Sequence, residues 1–138
     1  MRYGYFTNAS FFRVVPGFVA QFGVNGNPKL NEPWDAKPLP DDSVRHSNSR
    51  GTIAFAKEGP GTRTHHIFIS LGDNARLDKL QFAPFGSVVE GMSVMDSIYS
   101  EYREKPDQQL IQTLGNSYLN RMFPKLDYVK TARVLGLP

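Results

Sequence analysis

The sequence contains no cysteine, which excludes disulfides, thiol nucleophiles and cysteine-ligated zinc sites. It also lacks a strong charge bias, because 16 Lys and Arg against 13 Asp and Glu leave a net charge of +3. The basic residues are scattered, so we expect no nucleic-acid binding. No apolar run approaches the ~20 residues that span a bilayer, and we expect no membrane insertion. The 138 residues suffice for one domain with a buried core.

Short strands separated by Gly and Pro turns dominate the first two thirds of the chain. Residues rich in β-branched and aromatic side chains predict strands at 11–15, 19–22, 52–56, 66–70 and 85–89. A long irregular segment with four prolines runs from Pro28 to Arg50, and such loops are usually functional or packed excursions. The pattern indicates a β-barrel or sandwich with peripheral helices.

Helical spacing appears only in the last third. It predicts one helix over 92–102 and a second that Asp107 caps and Pro124 ends. We expect the second helix to bury one stripe, formed by Leu110, Ile111, Leu114, Tyr118, Met122 and Phe123. Residues 127–134 are a candidate closing strand.

Metal and cofactor chemistry find little support. His65 and His66 are adjacent, with His46 as a third candidate ligand, but neighbouring strand residues point to opposite faces. One imidazole should therefore face inward and the other outward. Asp41 and Asp42 fit a solvated turn, and no glycine-rich phosphate loop precedes a helix. We expect no metal and no cofactor.

The run Phe11–Gly23 carries one guanidinium in an almost wholly apolar stretch. Strand alternation would place Arg13 on one face with Phe11 and Val15, and Phe12 with Val14 on the other. By itself this pattern favours a solvent-facing arginine. The rival interpretation is a guanidinium fixed above an apolar cleft.

Rotation about an X-Pro amide is a reaction that needs only such a guanidinium and cleft. Its barrier of ~18–20 kcal/mol arises from amide resonance, and no covalent bond breaks. The nitrogen becomes a better acceptor as the bond twists, so a hydrogen bond made only in the twisted state lowers the barrier. Each ~1.4 kcal/mol gives a factor of ten.

Three motifs occur in order along the chain. The segment FFRVVPGFVAQFG resembles the cyclophilin signature, with its pattern Phe-x-Arg-Val-x-x-Gly-Phe-x-x-Gln. The segments GTIAFAKEGPGTRTHHIFISLGDN and LDKLQFAPFGSVVEGMSVMDSIY resemble the second and third motifs of that family. The resemblance runs from about Tyr5 to Tyr102 and returns at FPKLDYV. The loops and the long final helix are similar to those of bacterial members.

The resemblance implies a peptidyl-prolyl cis-trans isomerase on a mainly β, eight-stranded antiparallel barrel with peripheral helices. Arg13 would act on the imide nitrogen, with Phe18 in the proline pocket and Gln21 holding Arg13 and the substrate backbone. Six further residues would bind substrate: Val19, Ala56, Lys57, His66, Phe68 and Leu77. Partners would be proline-containing peptides or unfolded proteins, bound by a monomer.

Several positions depart from the family pattern. Lys57 stands where asparagine is common, His66 replaces a glutamine, and Arg76 stands where some members have a tryptophan tied to drug binding. Arg76 argues against cyclosporin sensitivity. The three departures support an alternative, namely a proline-peptide binding module with little or no catalysis.

The start of the chain is the largest departure, because family members have two strands and a helix before this segment. We therefore expect residues 1–138 to form one amino-terminally truncated domain with an incomplete barrel, and Met1 to be an internal position of a longer protein. A third hypothesis is that the chain does not fold alone. The terminus MRYGYFTNAS lacks the apolar segment of a signal peptide, so localisation is open: cytoplasmic as written, periplasmic or secreted if a signal has been lost.

Overall fold

An open five-stranded antiparallel sheet organises residues 4–136, the part of the chain that the computed structural model describes. The strand order across the sheet is β1-β2-β4-β3-β5. The prediction of a mainly β, antiparallel fold with peripheral helices is confirmed. Met1, for which we expect an internal position, lies outside the described residues. The strands are β1 (Arg13–Val15), β2 (Val19–Phe22), β3 (Thr52–Phe55), β4 (Ile67–Ser70) and β5 (Gly86–Ser87).

Short helices occupy the connections and the carboxyl-terminal part. None of those among residues 4–136 is long and apolar enough to cross a membrane. They are a 3-10 helix (Pro28–Leu30), α1 (Glu32–Asp35), α2 (Arg76–Lys79), α3 (Met92–Asp96), α4 (Gln108–Leu114) and α5 (Asn116–Met122).

A tight turn fixes the register of the first hairpin. Gly17 has a φ of 73°, which favours glycine, and the Phe18 amide donates to the Val15 carbonyl oxygen at 2.9 Å. The turn brings Val15 opposite Val19 and Arg13 opposite Gln21. The Pro-Gly break therefore places the two polar residues of this apolar run side by side.

The first strand begins later than predicted. Before Arg13 the backbone leaves the sheet, and the Phe11 amide donates to the Asp127 carbonyl oxygen at 2.9 Å. Phe11 packs in a cluster with Val14, whereas the Phe12 ring lies 5.7 Å from the His66 ring. The prediction that Phe11 shares a face with Arg13, and Phe12 with Val14, is thus wrong, because strand alternation holds only within the paired residues.

Two other predicted strands are shorter or absent. Residues 85–89 form only β5, although the backbone amides of Phe85 and Val88 still donate to the carbonyl oxygens of Ile53 in β3 and of Gly51 just before it. In 127–134 no strand forms, and Tyr128 makes a single bridge to Ser10.

The helices in the last third of the chain end at other residues than predicted. The helix predicted over 92–102 ends at Asp96. Asp107 caps α4 as predicted, since its side chain accepts from the amides of Gln109 and Leu110. The continuous helix to Phe123 is wrong, because Gly115 has φ 65° and ψ −144° and separates α4 from α5.

The break at Gly115 changes which side chains of α4 and α5 are buried. Ile111 and Leu119 are buried. The predicted single stripe is therefore wrong at its exposed members, namely Leu110, Leu114 and Met122.

Buried amides hold the long segment 28–50 in place. Asn31 accepts from the backbone amide of Asn25 at 2.8 Å and from the Tyr5 hydroxyl. Asn48 donates through Nδ2 to the Asp78 carboxylate at 2.7 Å and to the Phe82 carbonyl oxygen at 2.9 Å. The segment is otherwise largely exposed, so these two buried asparagines anchor it, and Asn48 ties it to the region after β4.

The two faces of the sheet border two different clefts. One cleft contains the polar residues of the first hairpin and is described below. The other, of about 720 Å³, is strongly apolar and aromatic. Phe22, Phe55 and Ile67 contribute to it, and each of them alternates with residues of the first cleft.

Candidate active site

Three neighbouring strands present one row of side chains to a cleft of about 530 Å³. Arg13 on β1 lies opposite Gln21 on β2, and Gln21 lies opposite Phe68 on β4. Phe68 in turn lies opposite Ala54 on β3. Residues two positions apart share a face, so Val19 also points to this side.

All nine residues to which the sequence assigned a role line this one cleft. Their individual roles stay predictions. The nine are Arg13, Phe18, Val19, Gln21, Ala56, Lys57, His66, Phe68 and Leu77. Five further lining residues had been given no role: Glu58, Thr62, Thr64, Phe82 and Gln108.

The floor of the cleft is apolar. A buried cluster contains Val19, Ala54, Phe68 and Leu77, and partly buried residues pack against it. Among these is Phe82, whose ring meets the Phe68 ring edge to face at a centroid distance of 5.7 Å. The floor can hold a compact apolar ring without offering it a hydrogen-bond partner.

The Arg13 guanidinium lies at the side of this floor. One terminal nitrogen donates to Gln21 Oε1 in a long contact of 3.4 Å, and the other forms an ion pair of 2.9 Å with Glu104 Oε1. Its Cζ is 5.7 Å from the centroid of the Phe18 ring. The Arg13 side chain is 24% exposed, so it remains accessible from the cleft. No local pattern identified Glu104, which lies 91 residues away in sequence.

Gln21 links Arg13 to His66 through the two ends of its side-chain amide. Because its Oε1 accepts from Arg13, its Nε2 faces His66 Nδ1 at 3.4 Å and must donate. The acceptor must be an unprotonated ring nitrogen, so this arrangement requires a neutral His66. Burial and then the neighbouring His65 lower the pKa of His66 from 6.5 to about 4, against the smaller opposing effects of Gln112 and Asp35.

His65 lies behind the cleft, on the apolar side of the sheet. Its Nδ1 lies 2.9 Å from the Gly23 carbonyl oxygen, and its Nε2 lies 2.6 Å from Asp35 Oδ1. The ring is buried, so the predicted outward imidazole is wrong: the Asp35 carboxylate and the Gly23 carbonyl replace solvent as its partners. Within residues 4–136, no group of three or more His, Cys, Asp or Glu side chains could hold a metal ion.

Phe18 and Phe82 form the aromatic walls of the cleft, and a cation lies over each ring. Lys57 itself lines the cleft, whereas Arg76 contacts Phe18 without being one of the lining residues. The Arg76 Cζ is 4.6 Å from the centroid of Phe18. Lys57 Nζ is 5.3 Å from the centroid of Phe82 and donates to the Gln81 carbonyl oxygen at 2.8 Å. Both geometries fit cation–π contacts.

The long segment 28–50 holds α2, the helix that carries Arg76 and Leu77. The Asp78 carboxylate of α2 accepts from the Ser47 hydroxyl at 2.6 Å and from the Asn48 amide at 2.8 Å. These hydrogen bonds lower the pKa of Asp78 below its ordinary 3.8. They anchor α2, and hence Leu77 in the floor of the cleft, to a segment remote in sequence.

Comparison with known proteins adds independent information. The family model described as cyclophilin type peptidyl-prolyl cis-trans isomerase/CLD matches residues 1–115. Peptidyl-prolyl cis-trans isomerase A of Dickeya dadantii is 38% identical over 103 residues, which is 69% of this chain and 53% of that protein. Peptidyl-prolyl cis-trans isomerase B of Escherichia coli is 33% identical over 106 residues, or 70% of this chain and 64% of that protein.

A fungal relative gives a similar match. Peptidyl-prolyl cis-trans isomerase-like 3 of Rhizopus delemar is 29% identical over 121 residues, which is 77% of this chain and 69% of that protein. The chain thus spans about half of the length of the Dickeya relative and somewhat more of the other two.

Proposed function

This chain belongs to the family of cyclophilin-type peptidyl-prolyl cis-trans isomerases, and we propose that it accelerates rotation about X-Pro bonds in proline-containing peptides or unfolded proteins. One observation carries the proposal. The Arg13 guanidinium, oriented by Gln21, lies beside an apolar floor built on Val19 and Phe68.

The floor supplies affinity for the proline ring. A pyrrolidine ring is compact and apolar and has no N–H to satisfy, so it fits a surface without hydrogen-bond partners. Phe68 is 5% exposed and Leu77 7% exposed, so these side chains are held in place before a ligand enters. Binding therefore does not require the floor to reorganise.

Arg13 supplies the stabilisation of the twisted bond. In the planar amide the nitrogen lone pair is delocalised and accepts poorly, whereas in the twisted state it is localised. A guanidinium N–H that meets this nitrogen binds the twisted state more strongly than either planar isomer. A hydrogen bond to a charged group is worth about 1.5–3 kcal/mol, which corresponds to roughly 10- to 100-fold in rate.

Gln21 and His66 position the Arg13 guanidinium. Gln21 is 5% exposed, and its amide is fixed between the guanidinium and the neutral imidazole. The hydrogen-bonded series Arg13–Gln21–His66 runs across neighbouring strands and limits the positions open to the guanidinium. We assign Gln21 and His66 to positioning the cation as well as to holding the substrate backbone.

The Glu104 ion pair supports a second candidate, a proline-peptide binding module with weak catalysis. Glu104 Oε1 already occupies one terminal nitrogen of Arg13 at 2.9 Å. A guanidinium retained by this carboxylate would leave the apolar floor to bind proline segments without stabilising the twisted bond.

One experiment separates the two candidates. A blocked peptide with a single X-Pro bond is mixed with a substoichiometric amount of the protein, and cis–trans exchange is measured by two-dimensional NMR while the peptide is also titrated against labelled protein. Exchange cross peaks at short mixing times support the isomerase. Saturable shifts of Phe68 and Val19 without faster exchange support the binding module, and neither effect in a folded sample refutes both.

A further inference from the structure

The aromatic walls of the cleft each carry a positive charge. Phe18 and Phe82 flank the apolar floor, and Arg76 and Lys57 lie over their rings at 4.6 Å and 5.3 Å. Lys57 lines the cleft itself, and Arg76 lies over the ring of Phe18, which lines it. A residue next to a proline on the apolar floor would therefore lie near this edge of the cleft. Consecutive Cα atoms are only about 3.8 Å apart.

Within residues 4–136, neither Lys57 nor Arg76 forms an ion pair with a carboxylate. Lys57 Nζ donates to the Gln81 carbonyl oxygen, which is uncharged. The ion pairs among residues 4–136 involve Arg13, Arg50, Arg63 and His65, and they do not include Lys57 or Arg76. In the described part of the chain, the two wall cations therefore have no carboxylate as an ion-pair partner.

The other charged side chains in and beside the cleft are Arg13, Glu104 and Glu58. Arg13 has its own carboxylate, Glu104, at 2.9 Å. Glu58 also lines the cleft, and its side chain is exposed and makes no ion pair with the two wall cations in the described range. Three cations, Arg13, Lys57 and Arg76, and two carboxylates, Glu58 and Glu104, therefore leave an excess of one positive charge in and beside the cleft.

We infer that the cleft selects proline segments with an acidic side chain directly beside the proline, the wall cations Arg76 and Lys57 supplying the charge that such a side chain pairs with. The inference rests on the proposed function, since it assumes that proline occupies the apolar floor. A cation held over an aromatic ring has less rotamer freedom to lose on pairing than a free surface lysine or arginine. Preorganisation of this kind favours a carboxylate over an uncharged amide of the same shape.

The expected preference is modest. An exposed ion pair changes an equilibrium by at most about fivefold, and the carboxylate can approach one cation closely and the other at longer range. We therefore expect a ratio of about five for a Glu peptide over its Gln counterpart at low ionic strength. The ratio should approach one in 0.5 M NaCl, because the screening length falls to roughly 4 Å.

The test uses the full chain and matched peptides. Blocked peptides with one proline carry Glu, Gln or Lys either directly before or directly after it, and both kcat/KM for exchange and Kd by NMR titration are measured. The wild-type chain should prefer Glu over Gln about fivefold in at least one of the two positions, with Lys below Gln. The double variant Lys57→Gln/Arg76→Gln should lose this preference, and Lys79→Gln, on the same helix as Arg76, should retain it.

The outcomes distinguish this inference from the proposed function. Equal Glu and Gln values in both positions would overturn the inference and leave the isomerase proposal standing, provided that the Gln peptides are isomerised. A Glu preference that persists in the double variant would also overturn it. If no peptide is isomerised, the Kd ratios still decide the charge preference, while the catalytic proposal fails. Circular dichroism of each variant shows that an altered ratio does not come from unfolding.

Discussion

His66 should make the stability of the protein depend on pH in the mildly acidic range. In the folded chain its Nδ1 faces the Gln21 amide at 3.4 Å, and burial, followed by the neighbouring His65, lowers its pKa to about 4. In the unfolded chain the imidazole takes up a proton near its ordinary pKa of 6.5. His65 and Asp35 are the titratable neighbours that act on this pKa, and they are unchanged in the comparison below.

The sign follows from proton binding. Between pH 6.5 and about 4 the unfolded state holds a proton at His66 that the folded state does not. The free energy of unfolding therefore falls as the pH is lowered through this window. The full contribution is present above pH 6.5 and is lost below about pH 4. At 1.36 kcal/mol per pKa unit, the loss is about 3 kcal/mol.

The measurement compares the wild-type chain with His66→Gln, which keeps a polar side chain at this position but cannot titrate. Urea unfolding at half-unit steps from pH 4.5 to 7.5 should give a steep slope for wild type and a shallower one for the variant. The exposed His46, changed to Gln, is the matched control and should keep the wild-type slope. Equal slopes for wild type and His66→Gln, or an NMR titration of the His66 ring near pH 6.5, would refute the reasoning.

Three further changes test other parts of the account. Glu104→Gln removes the carboxylate that competes for the guanidinium, and kcat/KM should rise by up to about fivefold; a fall would show that Glu104 holds the cation in its working position. Gly115→Ala places a Cβ against a backbone carbonyl oxygen at a residue with φ 65°, and it should lower the free energy of unfolding by about 2–4 kcal/mol. The control Gly86→Ala has open space around the new Cβ and should lower it by less than about 1 kcal/mol in the same urea titration. Asp107→Ala removes the cap of α4 and should cost about 1 kcal/mol; a change below a few tenths would contradict the capping role.

The residues of the first hairpin were within reach of sequence reasoning. The β-branched and aromatic content marks β1 and β2, and the Pro-Gly turn sets Arg13 opposite Gln21. A motif that spans the hairpin then identifies which strand arginine matters. The Asp107 cap is equally local, because a side chain two or three residues before the amides decides it.

The remaining features depend on contacts that no local pattern encodes. Glu104 meets Arg13 across 91 residues from an irregular turn, and neither periodicity nor motif marks it. Asn48 lies in a proline-rich segment, where nothing in the local sequence predicts that its side chain is fully buried against Asp78. Gly115 was a visible signal of a helix break, but the apolar residues on both sides of it mimic one continuous stripe.

The central claim is that Arg13 stabilises the twisted X-Pro bond, and its most direct test separates catalysis from binding. Exchange rates at saturating peptide and Kd are measured by NMR for wild type, Arg13→Ala and the exposed control Arg121→Ala. The account predicts that Arg13→Ala lowers kcat roughly 10- to 100-fold with a much smaller change in Kd, while Arg121→Ala matches wild type. Equal kcat in wild type and Arg13→Ala, with both chains folded, would contradict it.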